Sequence, residues 1–323
     1  MKLSATLFTL SAIISATSLT SCHHKDLLYD EPLTNDIEVV FDWRNAPDAQ
    51  PNSMALYMFD EESGVPLRYI FTGRDGGTIN LPFGRYNSLC MNADNTDWAV
   101  QQSTGDIEQF KTITTDVHVL PARQIAIQSL PAGRADETER VAATPGMMWG
   151  HRVDGFEFRY TDTHKVLTMY PVEAVCHYTV DILDVKNIDA LDETSVDATI
   201  SGMAEGYLHG KGIASPEKVT NPFILIGNSK EDKLSAEFLT FGRPSQPADD
   251  LTHTLTIYAL LADGSKWCYT ADVTDQVRDA PDPHHVHIIL RNLTLPRNVQ
   301  HTEGGAFNVD IDQWQTEHIN LSL

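Results

Sequence analysis

Met54-Ala-Leu-Tyr-Met-Phe59 and Leu67-Arg-Tyr-Ile-Phe71 are two short runs rich in apolar and aromatic residues, and the polar stretch Asp60–Gly64 separates them. Runs of this kind favour β-strands, because aromatic and branched side chains pack well on a pleated surface. A short polar connection that ends in glycine is typical of a hairpin loop. The segment therefore predicts an antiparallel β-hairpin and indicates an all-β fold.

Short strands bounded by turn residues continue on both sides of this hairpin, whereas amphipathic helical stretches are scarce. Turn signals recur about every eight to twelve residues, which is the pattern of a β-sandwich. Further strands in the first half are predicted at Glu38–Trp43, Thr78–Leu81, Tyr86–Met91, Trp98–Gln102, Ile113–Val119, Phe156–Phe158 and Lys165–Tyr170. Strands in the second half are predicted at Cys176–Leu183, Asp197–Ile200, Phe223–Ile226, Leu234–Phe241, Leu255–Leu261, Trp267–Asp272 and Val286–Leu290, with an Asp-Gly hairpin turn at Ala262–Ser265.

Chain length and one proline predict two domains. Without an export signal roughly 300 residues remain, which is more than one small sandwich needs. Pro171 interrupts the strand pattern between two apolar runs. We therefore expect an N-terminal β-sandwich at 37–172 and a C-terminal β-sandwich at 173–323.

Two segments depart from the core strand pattern. Residues 121–146 carry no periodicity and are expected to form a long exposed loop, in which Arg134 and Arg140 are either a protease site or simply exposed arginines. The C-terminal tail alternates again, at Phe307–Trp314 and His318–Leu323. It is expected either to close the second sandwich or to contact a partner, and a free apolar strand favours closure.

The first residues have the layout of an export signal. Met1-Lys2 is positively charged, and Leu3–Thr20 is uncharged but too short to span a membrane as a helix. A small residue before Cys22, with leucine three positions before it, matches the lipobox of bacterial lipoproteins; the alternative is an ordinary signal with a chance cysteine. We expect a signal peptide at 1–21, lipid attachment at Cys22 through diacylglycerol and a palmitate-type acyl chain, and a tether at 22–36. Two or more acyl chains hold a protein firmly on a bilayer, so the expected location is the bacterial cell outer membrane.

Composition excludes several classes of protein. Hydrophobic residues make up 41% and charged residues 21% of the chain, so it can build packed cores and is not a disordered acidic tail. The formal net charge is −22. Such a charge repels nucleic acid and anionic lipid surfaces. Neither is therefore an expected partner, and membrane contact is expected only through the acyl chains.

Cysteines are sparse for an exported protein. Beyond Cys22 the chain has Cys90, Cys176 and Cys268, and each lies in an apolar alternating stretch. An odd number in such surroundings is typical of buried free thiols, although a disulfide is the alternative.

Three imidazoles in Asp282-Pro-His-His-Val-His287 are the best candidate for metal or catalytic chemistry. His285 and His287 would face the same side of a strand, and His284 precedes them. No cysteine lies nearby, so a histidine-rich turn before a strand is the favoured interpretation, and we expect no metal site. The pair His23-His24 on the tether is interpreted in the same way.

Other chemical motifs are absent from the sequence. It contains no Gly-x-Ser-x-Gly elbow, no His-Glu-x-x-His helix and no phosphate-cradling glycine loop. Asp310 and Asp312 share a strand face, but paired carboxylates carry little information among 45 acidic residues. We therefore expect no enzyme, no cofactor, no catalytic residue and no small-molecule ligand.

Glycan binding is an alternative binding function. Exposed tryptophans can form a platform for sugars, although tryptophan in alternating strands is more often part of the core. Coplanar exposed tryptophans would favour glycan binding, whereas an open apolar sheet edge in the second domain would favour subunit assembly. The candidates for a platform are Trp98, Trp149, Trp267 and Trp314.

The order and spacing of many short motifs resemble a known family. The chain is similar to the Bacteroides-type fimbrillin-like lipoproteins, and more narrowly to an uncharacterised branch related to the fimbrial anchor subunits of the FimB/Mfa type. The motifs that carry the likeness are Val40–Trp43, Ala46-Pro47, Ser53-Met54, Gly76–Ile79, Leu81–Tyr86, Asn92, Ser201–Met203, Thr240–Gly242, Val273–Asp275, Leu293–Pro296 and Phe307–Trp314.

The resemblance implies two tandem transthyretin-like Greek-key β-sandwiches. It also implies a lipid-held anchor or accessory subunit of a surface fimbria, which binds fimbrillin-like protein subunits. Pilins of that family complete their sheets with a strand from the next subunit. Main-chain hydrogen bonds along an open sheet edge supply affinity in such assemblies.

Overall fold

The computed structural model describes residues 32–62, 64–94, 99–131, 139–246, 251–296 and 314–318. In these ranges the chain forms strands β1–β21, one α-helix, α1 (Thr274–Arg278), and two short 3-10 turns at Ile127–Ser129 and Ile188–Ala190. The predicted all-β class is confirmed.

Two sheets enclose the core of the first half. One has three strands in the order β10-β1-β4 and the other has five in the order β11-β9-β5-β2-β3. Their strands are β1 (Thr34–Phe41), β2 (Ser53–Asp60), β3 (Leu67–Thr72), β4 (Gly76–Pro82), β5 (Gly84–Asn92), β9 (Trp149–Phe158), β10 (Val166–Met169) and β11 (Val172–Glu173). The predicted hairpin is β2–β3, and β1 pairs in parallel with β10.

Strand β2 explains how this half is packed. Met54, Leu56 and Met58 point into the core between the two sheets and are fully buried. Ala55 and Tyr57 on the opposite face are buried as well, because the segment around Phe110 covers that face. Both faces of β2 are therefore apolar, which is why its sequence shows a continuous apolar run rather than strict alternation.

A small four-stranded sheet, in the order β15-β14-β7-β6, joins residues from both halves of the chain. Its strands are β6 (Ala99–Gln102), β7 (Lys111–Thr114), β14 (Gly206–Leu208) and β15 (Ile213–Ala214). Lys111 on β7 forms an ion pair of 2.9 Å with Glu205, which immediately precedes β14.

A nine-stranded sheet forms the second half, in the order β20-β12-β17-β16-β13-β18-β19-β21 with β8 beside β16. Buried side chains from most of its strands meet in one hydrophobic core. The predicted Asp-Gly hairpin is β18–β19. The strands are β8 (Arg140–Val141), β12 (Cys176–Leu183), β13 (Ser195–Ala204), β16 (Lys218–Asn228), β17 (Lys233–Thr240), β18 (Thr254–Leu260), β19 (Lys266–Asp272), β20 (His285–Arg291) and β21 (Trp314–His318).

The prediction of a long exposed loop at 121–146 is wrong at both ends of the segment. Ile127 packs in a small cluster with Leu120 and Val141, and Ala142 is fully buried in the core of the second half. Arg140 makes ion pairs with Asp116 and Glu205 and lies on β8, which pairs in parallel with β16. A two-residue strand and a single turn are too short to produce a periodic sequence pattern. Residues 132–138, including Arg134, lie outside the described residues.

The tail supports closure of the second half as far as it is described. β21 adds to the edge of the sheet and pairs in parallel with β19. Trp314 packs edge-to-face on Tyr258, with ring centroids 5.6 Å apart. The remaining tail positions, Phe307–Gln313 and 319–323, lie outside the described residues.

The domain division stays a prediction. The expected boundary at Val172 falls in β11, and both β7 and β8 precede it in the chain. These two strands pair with β14 and β16, which follow the boundary.

Candidate functional site

The outer strand of the five-stranded sheet, β3, presents an open edge. It pairs with β2 on one side, and no strand in the described ranges pairs with its other side. Ile70 is 52% exposed, and Leu67 and Val65 beside it are exposed as well. An edge strand leaves alternate backbone N–H and C=O groups available to another chain. This edge can therefore accept a further strand.

The edge of the second half at β20 is different. The side-chain amide of Gln276 on α1 donates to the carbonyl of Ile289 at 3.1 Å. It also accepts from the N–H of Ile289 at 2.8 Å. These bonds occupy the middle of the edge strand, so β20 is less suited to strand addition than β3.

The predicted histidines lie at the start of β20 and do not form one cluster. His285 and His287 share the exposed face of the strand, as predicted. His287 pairs with Asp181 on the neighbouring β12, at 3.0 Å. The ring of His284 lies beside Cys176 instead, with Nδ1 3.9 Å from Sγ. The structure therefore gives the three imidazoles different partners and does not bring them together at one point.

A different set of ligands meets around His285. The parallel pairing of β12 with β20 places His177 directly opposite His285. Their rings stack with centroids 5.0 Å apart and an interplanar angle of 11°. Glu173 on β11 approaches His177, with Oε2 3.5 Å from Nε2. One ligand atom from each of Glu173, His177 and His285 lies within 4.8 Å of the others.

Asp282 orients one member of this cluster. Its Oδ2 lies 2.9 Å from Nδ1 of His285, and its Oδ1 accepts from the backbone N–H of His284. Both hydrogen bonds lower the pKa of the Asp282 carboxyl, and the bond from the His284 backbone has the larger effect. The carboxyl is therefore ionised at neutral pH. With Nδ1 of His285 engaged, its Nε2 is the nitrogen left for another contact.

A cleft of about 860 Å³ lies beside the cluster. Its lining includes Glu173 and His285 together with the aromatic residues Tyr178, Tyr207 and Phe241. The cleft lies where β11 of the first half meets β12 and β20 of the second.

Two histidines that the sequence analysis did not single out are buried and neutral. Burial lowers the pKa of His209 to about 3 and that of His253 to about 4. His209 bonds through Nε2 to Thr112 Oγ1 at 2.8 Å, whereas Nδ1 of His253 lies 3.2 Å from the carbonyl of Ser201. Sequence reasoning missed them because an isolated histidine in a strand carries no distinguishing pattern.

The cysteines are buried free thiols, as expected from their apolar surroundings. No disulfide joins Cys90, Cys176 and Cys268, which all lie in the described part of the chain. Burial raises the pKa of Cys90 and Cys268 to about 12 and that of Cys176 to about 11.

The tryptophan platform is not formed by the residues that can be placed. Trp149 is buried and packs edge-to-face on Trp43. Trp267 and Trp314 are half-buried, on neighbouring strands β19 and β21. Trp98 lies outside the described residues.

Several predicted positions lie outside the described residues. They include the signal peptide at 1–21, most of the tether, the lipid attachment at Cys22 and the pairs His23-His24 and Asp310/Asp312. Among the helices that the structure describes, none has the length and apolar character needed to cross a membrane.

Solved structures show which class of fold this is. The chain is similar to a candidate adhesin from Bacteroides ovatus, with 18% identity and a TM-score of 0.62 over 86% of this chain and 98% of that one. It is also similar to the fimbrial anchor protein Mfa2 from Porphyromonas gingivalis, with 11% identity and a TM-score of 0.49 over 80% of this chain and 91% of that one. The tip fimbrial protein Mfa3 from the same organism matches with 11% identity and a TM-score of 0.39 over 81% of this chain and 96% of that one. The predicted resemblance to Bacteroides-type fimbrillin-like proteins is confirmed.

The family follows from the sequence itself. A family model described as a domain of unknown function, DUF5119, matches residues 21–223. This match covers more than half of the chain, which therefore belongs to the DUF5119 family. No match was found among curated proteins.

Proposed function

We propose that this protein is a lipid-anchored surface subunit of a fimbria, an anchor-like or accessory lipoprotein that binds fimbrillin-like subunits by β-strand pairing. It acts by binding rather than by catalysis. Its two halves are tandem transthyretin-like Greek-key sandwiches, and Cys22 carries the acyl chains that hold it on the cell outer membrane. The fold that it shares with a candidate adhesin supports this proposal.

The observation that carries the proposal is the open edge of β3. A strand added there would form main-chain hydrogen bonds with the free side of β3, and its side chains would lie beside Ile70 and Leu67. Pairs of apolar side chains across neighbouring strands each contribute about 0.2–1 kcal/mol. Affinity therefore comes from the backbone, and partner choice from these exposed side chains.

A matched pair of isoleucines allows a direct test. Ile70 is 52% exposed on the edge strand β3, and Ile226 is 51% exposed on β16, which has strands on both sides. A photo-crosslinking amino acid is placed at either position in the full chain and activated on cells of the native bacterium. We expect position 70, but not position 226, to crosslink to a fimbrillin-like subunit identified by mass spectrometry.

A second comparison uses charge. A lysine on an edge strand discourages strand addition, so Ile70→Lys should reduce co-purification of the subunit while Ile226→Lys leaves it unchanged. Equal crosslinking at both positions would contradict the proposal. Crosslinks to no protein, together with retention of the protein on a glycan column, would favour the glycan-binding alternative.

Lipid anchoring is tested separately. Cys22→Ala should abolish incorporation of labelled palmitate and release the protein from the membrane fraction. Cys90→Ala is the control, because Cys90 is buried in the core. Membrane retention and labelling that survive Cys22→Ala would remove the anchor from the proposal.

A further inference from the structure

We propose that Glu173, His177 and His285 bind one divalent transition-metal ion of the zinc class, which ties the first half of the protein to the second. Glu173 and His177 come from the consecutive strands β11 and β12, whereas His285 comes from β20, more than 100 residues further along the chain. Their contacts do not involve the β3 edge. The metal site can therefore be tested independently of subunit binding.

The chemistry of the ligands suits zinc. Imidazole nitrogens and a carboxylate oxygen are common zinc ligands, and two histidines with one glutamate leave the fourth position of a tetrahedral ion open. Zinc–ligand bonds of about 2.0–2.2 Å place neighbouring ligand atoms a little over 3 Å apart. The distance of 3.5 Å between Glu173 Oε2 and His177 Nε2 is already close to this spacing.

The backbone holds the two imidazoles in position. His177 and His285 are directly paired residues of adjacent parallel strands, and their stacked rings project from the same face of the sheet. One ligand atom from each of the three residues lies within 4.8 Å of the others, and both rings would turn out of their stacked arrangement to reach one ion. Their partial exposure leaves the ion accessible from solvent.

Asp282 would hold one of the metal-binding histidines in place. Metal-binding histidines usually donate their other N–H to a carboxylate, which fixes the tautomer and the ring orientation. The bond between Asp282 and Nδ1 of His285 has this geometry and leaves Nε2 for the metal.

The position of the site determines which parts of the structure a bound metal would hold together. Glu173 lies on β11 in the five-stranded sheet, whereas His177 and His285 lie on β12 and β20 in the nine-stranded sheet. Only Ala174 and Val175 connect Glu173 to β12. A metal ion would therefore restrain the connection between the two sheets beside the cleft.

The test is calorimetric titration of the full chain with zinc chloride, compared with magnesium chloride. We expect one zinc site that is lost in Glu173→Gln, His177→Ala and His285→Ala. His287→Ala is the matched control, because His287 lies on the same face of β20 and pairs with Asp181 instead. Asp282→Asn should weaken zinc binding about 10- to 100-fold, as does the loss of other carboxylates that orient a metal-binding histidine.

Thermal unfolding supplies a second measurement. Zinc should raise the midpoint of the wild-type protein and of His287→Ala, and it should not raise that of His285→Ala. His23→Ala/His24→Ala controls for binding on the tether. Zinc binding that is abolished by the tether variant, or is unchanged in all three ligand variants, would overturn the site.

Discussion

The two buried histidines, His209 and His253, should make the protein sensitive to mild acid. In the unfolded chain a histidine takes up a proton below about pH 6.5. In the folded chain His209 and His253 do so only near about 3 and 4, because burial disfavours the charged ring. Between these values the unfolded state binds more protons, so stability falls as the pH falls from about 6.5.

The magnitude follows from the difference in proton uptake. Between pH 7 and pH 5 each buried histidine reduces the free energy of unfolding by about 2 kcal/mol, and the two together by about 4 kcal/mol. Folded proteins are stable by only about 5–15 kcal/mol. The loss is therefore a large part of the total, although the native state still predominates at pH 5 in a protein of average stability.

The surroundings of the two rings explain why burial lowers the pKa of both histidines. His209 contacts the aromatic rings of Phe110 and Tyr207 and has no charged hydrogen-bond partner. Burial is also the largest influence on His253, and Arg243 and Asp272 act on it in opposite directions.

Urea denaturation at fixed ionic strength, at half-unit steps from pH 7 to pH 5, measures the effect. His209→Asn should be less stable than wild type at pH 7, yet lose only about 2 kcal/mol over the same range. His164→Asn is the control, because the His164 side chain is 75% exposed. Carboxylates such as Asp181, whose pKa is lowered, lose their contribution only below about pH 4, outside this range. A pH dependence that is the same in His209→Asn, His253→Asn and wild type would refute the reasoning.

Three further predictions concern the core. Leu56→Ala should lower the free energy of unfolding by about 2–5 kcal/mol in urea denaturation, because Leu56 is fully buried between the two sheets of the first half. Gly76→Ala should lower the melting temperature, because φ is +104° and a Cβ would lie 2.1 Å from the carbonyl oxygen of Val39. Cys90 and Cys268 should react with a thiol reagent at pH 7.5 only after unfolding, because burial raises their pKa to about 12.

Each of these predictions has a control. Leu67→Ala changes an exposed leucine and should cost less than about 1 kcal/mol. Gly105→Ala places a Cβ where no atom lies within 4 Å, so it should leave the melting temperature unchanged. Losses as large as those of Leu56→Ala and Gly76→Ala would contradict the packing argument, and rapid labelling of native Cys90 or Cys268 would contradict their burial.

The long strands could be predicted from sequence alone, because alternate burial of their side chains produces an alternating pattern of apolar and polar residues. The strand β12 alternates buried and half-buried residues from Cys176 to Leu183 without a break. The strands β8, β11, β14 and β15 were missed, because two or three residues cannot establish a period. Their pairing depends on distant parts of the chain, and local sequence does not specify those parts.

In the candidate sites, too, local sequence predicted which side chains share a face of a strand, but not which distant residues lie beside them. Alternation placed His285 and His287 on one face of a strand, which is confirmed. The partners of His285, however, are Glu173 and His177, and only the pairing of β12 with β20 brings them together. The open edge of β3 was likewise visible only once its neighbours in the sheet were known.

The parallel pairing of β1 with β10 has a mechanical consequence. Glu38 and Asp42 donate backbone hydrogen bonds to Lys165 and Met169, and four residue pairs lie in register between them. Tension between the amino end of β1 and the chain beyond the carboxyl end of β10 pulls two parallel strands in opposite directions. The bonds of the pair are then loaded in shear and must break together, whereas strands pulled from the same end separate one bond at a time. A force applied between these two points would therefore meet its main resistance at this pair of strands.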